Sequence, residues 1–214
     1  STASTLLKKQ EGSYQDILLS YGFFYDKRNQ TFNTTNGYFS NFSQTLPLNI
    51  SENQTLISSY QFKIFDEYIS NIIGSATINL KAAHSFGDDD VRISNRLYIP
   101  QRFLKGFQSG KVGPKDGEDF IGGNYLASLN LVSDLPFLNT LDTVDFNIFF
   151  DAANTWGIDY DSSLNDKSFI RSSLGIGADW FTPIGPVTIT VAQPITKKDT
   201  DKTETFTFNV GTSF

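Results

Sequence analysis

Cysteine and methionine are absent, and histidine occurs once, at His84. Without thiols there is neither a disulfide framework nor thiolate chemistry, so strand pairing and packing must hold the chain together. A single histidine excludes any site built on two imidazoles, and His84 reads as a polar strand-end residue. No run of about 18 apolar residues occurs, which excludes a transmembrane helix but not a membrane home. Basic charge is scarce as well. Its 17 Lys and Arg against 23 Asp and Glu leave a formal charge of −6, the wrong sign for a nucleic-acid footprint.

Aromatic residues are plentiful: 20 Phe and 9 Tyr stand in a chain whose mean hydropathy is only −0.24. Transmembrane β-barrels show this balance, because their strands turn apolar residues to lipid and polar residues to the lumen. Alternation is visible from the front. Ile17, Leu19, Tyr21, Phe23 and Tyr25 share one face, against Asp16, Ser20, Gly22 and Asp26. It is strongest where Val144, Phe146, Ile148 and Phe150 oppose Asp145, Asn147 and Asp151. The pattern predicts strands over 16–26, 38–46, 56–65, 73–83, 125–132, 144–153, 170–180, 187–193 and 205–214. Trp156 and Tyr160 are expected at the membrane interface. The expected fold is therefore all-β, an antiparallel transmembrane barrel. A closed all-antiparallel barrel normally has an even number of strands, and nine is odd. With a start at Ser1-Thr2-Ala3 and no Met, the expectation is the C-terminal part of a longer chain.

One stretch, 98–124, breaks the alternation. It far exceeds an ordinary hairpin connection, and loops of that length are usually functional or disordered. Disorder fits poorly, because Tyr98, Ile99, Phe103, Leu104, Phe107 and Phe120 supply apolar anchors between glycines that permit tight turns. A compact loop tucked into a cavity is expected.

Within that loop, Arg102-Phe103-Leu104-Lys105-Gly106-Phe107, then Gly113-Pro114-Lys115-Asp116 and Gly122-Gly123-Asn124, resembles loop six of the BamA-like outer-membrane assembly proteins of the bacterial surface antigen superfamily. Gly175-Ile176-Gly177-Ala178-Asp179-Trp180, running on to Pro183, Gly185 and Pro186 and followed by Ala192-Gln193-Pro194, is similar to that family's penultimate hairpin. Phe206-Thr207-Phe208-Asn209-Val210-Gly211-Thr212-Ser213-Phe214 is similar to its C-terminal strand and targeting signal. The resemblance covers essentially the whole chain.

The resemblance implies about nine C-terminal strands of a barrel of about sixteen, with the N-terminal strands and periplasmic POTRA domains outside this chain and 98–124 inserted in the lumen. It makes Phe103, Leu104, Lys105, Gly106 and Phe107 the loop anchor, with Lys105 where the family carries Arg. A flexible ammonium thus replaces a planar fork. Outside that family, a lone lysine in a loop is ordinarily a solvated cation. Here the partner is Asp151, and the family's second acidic partner falls at Asn130. Phe206, Phe208, Gly211 and Phe214 would form a lateral seam and the C-terminal signal.

The function implied is assembly and insertion of β-barrel proteins, without enzymatic activity, catalytic residues, metal or other cofactor. A translocation and assembly module or two-partner secretion pore is the alternative. Implied partners are unfolded outer-membrane clients, outer-membrane lipid and accessory lipoproteins, in the outer membrane of a Gram-negative bacterium. Asp88-Asp89-Asp90 lacks the glycine and glutamate spacing of a cation loop. With Asp159, Asp161 and Asp166 it reads as solvated.

Overall fold

The computed structural model describes residues 4, 8–31, 33–52, 54–86, 90–138, 143–164, 167–182 and 185–211. Nine strands form one antiparallel sheet in the order β1-β2-β3-β4-β7-β8-β9-β10-β11, each beside its neighbour in the chain. They are β1 Leu18–Asp26, β2 Gly37–Pro47, β3 Thr55–Ile69, β4 Ile72–Ser85, β7 Tyr125–Asp134, β8 Val144–Trp156, β9 Arg171–Thr182, β10 Gly185–Thr196 and β11 Phe206–Val210. Two short strands, β5 Lys115–Asp116 and β6 Asp119–Phe120, pair within the long loop. Most main strands reach the length a tilted bilayer crossing requires.

At one end the chain turns through 27–36, Ser70-Asn71, where Asn71 takes φ 63°, 135–143 and 183–184. The opposite end carries 48–54, 86–124, 157–170 and 197–205, with the two longest connections, 86–124 and 157–170, among them.

Register gives the faces. Ile148 pairs with Ile176, Ile176 with Val191 and Val191 with Phe206, so apolar side chains form a row across four strands. This row points away from the protein, with Ile176 57% and Phe206 58% exposed. Contiguous exposed apolar surface of this extent suits lipid rather than water. The opposite face carries Thr77, Asn130, Asp151 and Ser173 in one row. Against this inward face packs the hydrophobic core: Val91, Leu97, Ile99, Phe103, Leu104, Phe107 and Val112 of the long connection, on Ala83, Leu126 and Ala153 of the strands.

Several strands exceed their predicted ends. β3 runs to Ile69 and β8 to Trp156, where Trp156 stacks on Tyr125 with ring centroids 5.8 Å apart. The last strand begins at Phe206 rather than Thr205, and its described part runs to Val210, followed by Gly211 at φ 127°. Phe214 lies outside the described residues.

Candidate functional site

The long loop has a neck. Leu97 and Gly123 exchange two backbone hydrogen bonds, of 2.8 and 3.0 Å. Thr155 Oγ1 donates to the Leu97 carbonyl at 2.9 Å, which ties the neck to β8. Glycine is required at position 123, since a Cβ there would stand 2.4 Å from the Trp156 carbonyl oxygen. Inside the neck, a 3-10 turn at Gln101–Phe103 aims Phe103 at the sheet, and Leu104 and Phe107 follow it into the core. Burying such side chains is worth roughly 1.5–3 kcal/mol each, enough to offset much of the ordering of a loop.

Lys105 lies between those anchors and meets Asp151 on the inward face of β8. Its Nζ is 2.9 Å from Asp151 Oδ2 and 3.1 Å from Oδ1, and its backbone N–H donates to Oδ2 at 3.0 Å. Asn130, cross-strand partner of Asp151, donates through Nδ2 to Asp151 Oδ1 at 2.8 Å and to the Phe103 carbonyl at 2.9 Å. Where the resemblance puts a second acid, this chain therefore has a donor, and a single carboxylate receives both Lys105 donors and the Asn130 amide. Phe149, also inward, puts its ring 4.1 Å from Lys105 Nζ. Gly106 follows at φ 89°, beside Ala192.

A second connection completes the loop's support. Phe107 forms a bridge with Thr203, Gln108 N–H donates to the Lys202 carbonyl at 3.0 Å, and Glu204 N–H to the Gly106 carbonyl at 2.9 Å. The stretch 197–205 thus forms a short ladder with the long loop. Its Asp201 takes a bidentate fork from Arg171, with Nε and Nη2 at 3.0 and 3.1 Å, and both side chains are buried.

Over the neck sits a third cluster. Arg96 pairs with Asp159, whose carboxylate also accepts the Val91 N–H at 2.9 Å and the Asn124 amide at 2.8 Å. Asp159 is therefore no solvated loop acid. Burial works to raise its pKa, but the Val91 and Asn124 hydrogen bonds and the Arg96 charge outweigh it and hold the carboxyl below its ordinary value. Tyr160 lies in this cluster rather than at the membrane interface, donating to Asp116 at 3.1 Å beneath the Arg96 guanidinium. Burial and the Asp116 charge push its phenol up, so it remains a donor. Asp161 caps its own turn through Ser163, and Asp90 pairs with Lys9. Asp88, Asp89 and Asp166 lie outside the described residues. His84 stands exposed at the end of β4, edge-on to Phe86.

Phe206 and Phe208 face outward on β11, with Gly211 just beyond the strand. Between β10, β11 and the loop is a cavity of about 510 Å³, lined by Gln101, Arg102, Lys105, Thr188, Thr190 and Asn209 among others. Among the described residues no three His, Cys, Asp or Glu side chains converge as a metal ion would need. Holding a loop against a wall is what this geometry does.

The pattern described as the Omp85 superfamily domain matches residues 1–214. Outer membrane protein assembly factor BamA of Neisseria meningitidis is 27% identical over 139 residues, which is 52% of this chain and 17% of that protein. BamA of Neorickettsia risticii is 27% identical over 158 residues, 69% of this chain and 21% of the relative. A SAM50-like protein of Schizosaccharomyces pombe is 28% identical over 137 residues, covering 59% and 28%. The crystal structure of Haemophilus ducreyi BamA lacking POTRA domains 1–3 superposes with a TM-score of 0.83 at 26% identity, over 95% of this chain and 46% of that one. This chain thus spans under a third of these curated relatives. With the sheet order, the outward apolar face and the inward loop already described, these matches make one assignment: the chain belongs to the Omp85 superfamily, as a BamA-like stretch of its β-barrel.

Proposed function

We propose that the chain forms part of an assembly factor that inserts β-barrel proteins into the outer membrane of a Gram-negative bacterium, and that clients are received at a lateral seam along β11. The observation that carries this reading is the short pairing of that strand. Among the described residues, β11 joins β10 from Val187 with Val210 to Val191 with Phe206, whereas β10 joins β9 from Gly185 with Thr182 to Thr196 with Ser172. A weakly held strand end offers N–H and C=O groups to an incoming strand, and strand addition is the ordinary way such an edge binds polypeptide. Gly211 supports the same reading, since at φ 127° and without a side chain it weakens pairing at the strand's end. Loop 98–124 is read as a lumen plug clasped by Lys105, Asp151 and Asn130. Such a plug weighs against passage of polypeptide through the lumen and favours assembly beside the barrel over secretion. Unfolded outer-membrane proteins, the surrounding lipid and accessory lipoproteins are the partners this activity needs. No covalent chemistry is required of the chain.

The test is reconstitution of the full-length protein in lipid vesicles with an unfolded client barrel. A disulfide placed between Thr207→Cys and the strand that closes the barrel against β11 should stop client insertion, and reduction should restore it. Unimpaired insertion with the seam locked overturns the seam. A wild-type protein that does not speed insertion at all overturns the assembly reading.

A further inference from the structure

The ladder between residues 106–108 and 202–204 links two parts of the molecule that the proposed function treats separately. One is the plug loop. The other is the connection that delivers the chain into β11, the seam strand. We propose that Arg171 and Asp201 are positioning residues of the seam: they hold the β10–β11 connection against the inward face, where it pairs with the loop and couples loop position to the start of β11. This rests on the seam reading and adds to it the device that sets where the seam strand begins.

The geometry is specific. Arg171 is the first residue of β9 and faces inward beside Ala153. Its fork engages both oxygens of Asp201, and Nη1 is occupied by Asn154 Oδ1 at 3.1 Å and the Phe169 carbonyl at 2.9 Å. Asp201 also organises its own turn, accepting the Lys198 N–H at 2.7 Å while its backbone N–H reaches the Lys198 carbonyl at 3.0 Å. The carboxylate is fully buried, so no water replaces Arg171 if the pair is broken. Immediately after Asp201, Lys202, Thr203 and Glu204 make the ladder, and Glu204 receives the Gln101 amide at 2.8 Å. Thr205 then offers its carbonyl to Ala192 N–H, and β11 starts at Phe206. Displacing Asp201 therefore displaces the ladder and the first residue of the seam strand together. This link is separate from the Lys105 clasp, since Asp151 and Asp201 share no donor.

The test uses the full-length protein in vesicles. Gln108→Cys and Lys202→Cys occupy opposed, exposed positions of the ladder, at the spacing an antiparallel pair gives a disulfide, and residues 1–214 carry no other cysteine. Asp201→Asn, which keeps the shape and removes the charge, should slow formation of this crosslink by about tenfold or more. Client insertion should fall with it. Once the crosslink has formed, it should restore insertion in the Asp201→Asn background, because it replaces the link that the ion pair supplied. Arg171→Lys, which keeps charge without the fork, should lie between wild type and Asp201→Asn. An unchanged crosslinking rate in Asp201→Asn overturns the proposal, as does a trapped ladder that fails to restore insertion. Crosslinking is read without a client, so it judges the latch even if the assembly reading itself fails.

Discussion

Asp151 holds Lys105 twice, by its ammonium at 2.9 Å and by its backbone N–H at 3.0 Å. The carboxylate is thus a fixed point for the loop's main chain and not only a counter-ion. The two halves of the pair are accordingly unequal. Asp151→Ala strands a cation and a backbone donor and leaves the Asn130 amide with the Phe103 carbonyl, and should cost about 3 kcal/mol or more. Lys105→Met leaves Asp151 with two donors and should cost clearly less. Equilibrium unfolding in detergent, with proteolysis at Gln108 to Lys111 reporting loop release, checks the order. Equal losses would show that the backbone bond contributes nothing.

Asn130 makes a second prediction. Asn130→Asp would bring a carboxylate against Asp151 and turn a donor to the Phe103 carbonyl into an acceptor, with one lysine to neutralise both acids. The expected cost is about 1–3 kcal/mol. Adding Lys105→Arg should recover part of it, because a planar fork serves two carboxylates where an ammonium serves one. A double-mutant cycle measures that recovery as a coupling energy.

Much of this was legible in the residues. Period-two alternation placed Phe146, Ile148 and Phe150 on one face of β8 and Asp145, Asn147 and Asp151 on the other, because a strand's geometry imposes that period whatever it packs against. Length and aromatic content marked out the loop. Phe149 escaped the pattern, being an apolar residue at an inward position, and its role depends on the cation brought over its ring. Asp159 and Asp201 also escaped. Each sits in a polar stretch that looks solvated, and each partner is remote, Arg96 at 63 residues and Arg171 at 30. No local periodicity carries such pairings. The one available hint was an inward arginine at the head of β9 whose own face of the strand offers no carboxylate before Asp179.

The cluster over the neck should respond to acid. The Asp159 carboxyl is held below its ordinary value of 3.8, so its charged state is favoured by folding. The stability it contributes is fully present above about pH 4 and is lost as pH falls through the lower folded value. The raised Tyr160 phenol does not titrate in this window. Exchange of the Val91 amide should therefore accelerate below about pH 4 in the wild type, beyond the chemical dependence of exchange itself. Asp159→Asn should show fast exchange at neutral pH and lose the acid step.

The two faces of the sheet differ in what they tolerate, and β9 and β10 allow a close comparison. Ile176 lies midway along β9 on the outward row, exposed between Ile148 and Val191. Ile176→Lys places an ammonium at the depth where lipid offers no solvation, and should destabilise the barrel by about 2–4 kcal/mol. Thr188 on β10 faces the cavity, with its hydroxyl donating to Asp179 at 2.7 Å. Thr188→Lys gives the new cation a carboxylate within reach, and a change of about 0.5 kcal/mol or less is expected. Urea titration in lipid vesicles compares the two on one scale. In detergent, whose polar headgroups approach the outward face more closely, the penalty at Ile176 should shrink while Thr188→Lys stays where it was. Equal penalties in vesicles would mean that the outward row does not face hydrocarbon, and the membrane orientation of the sheet would have to be reversed.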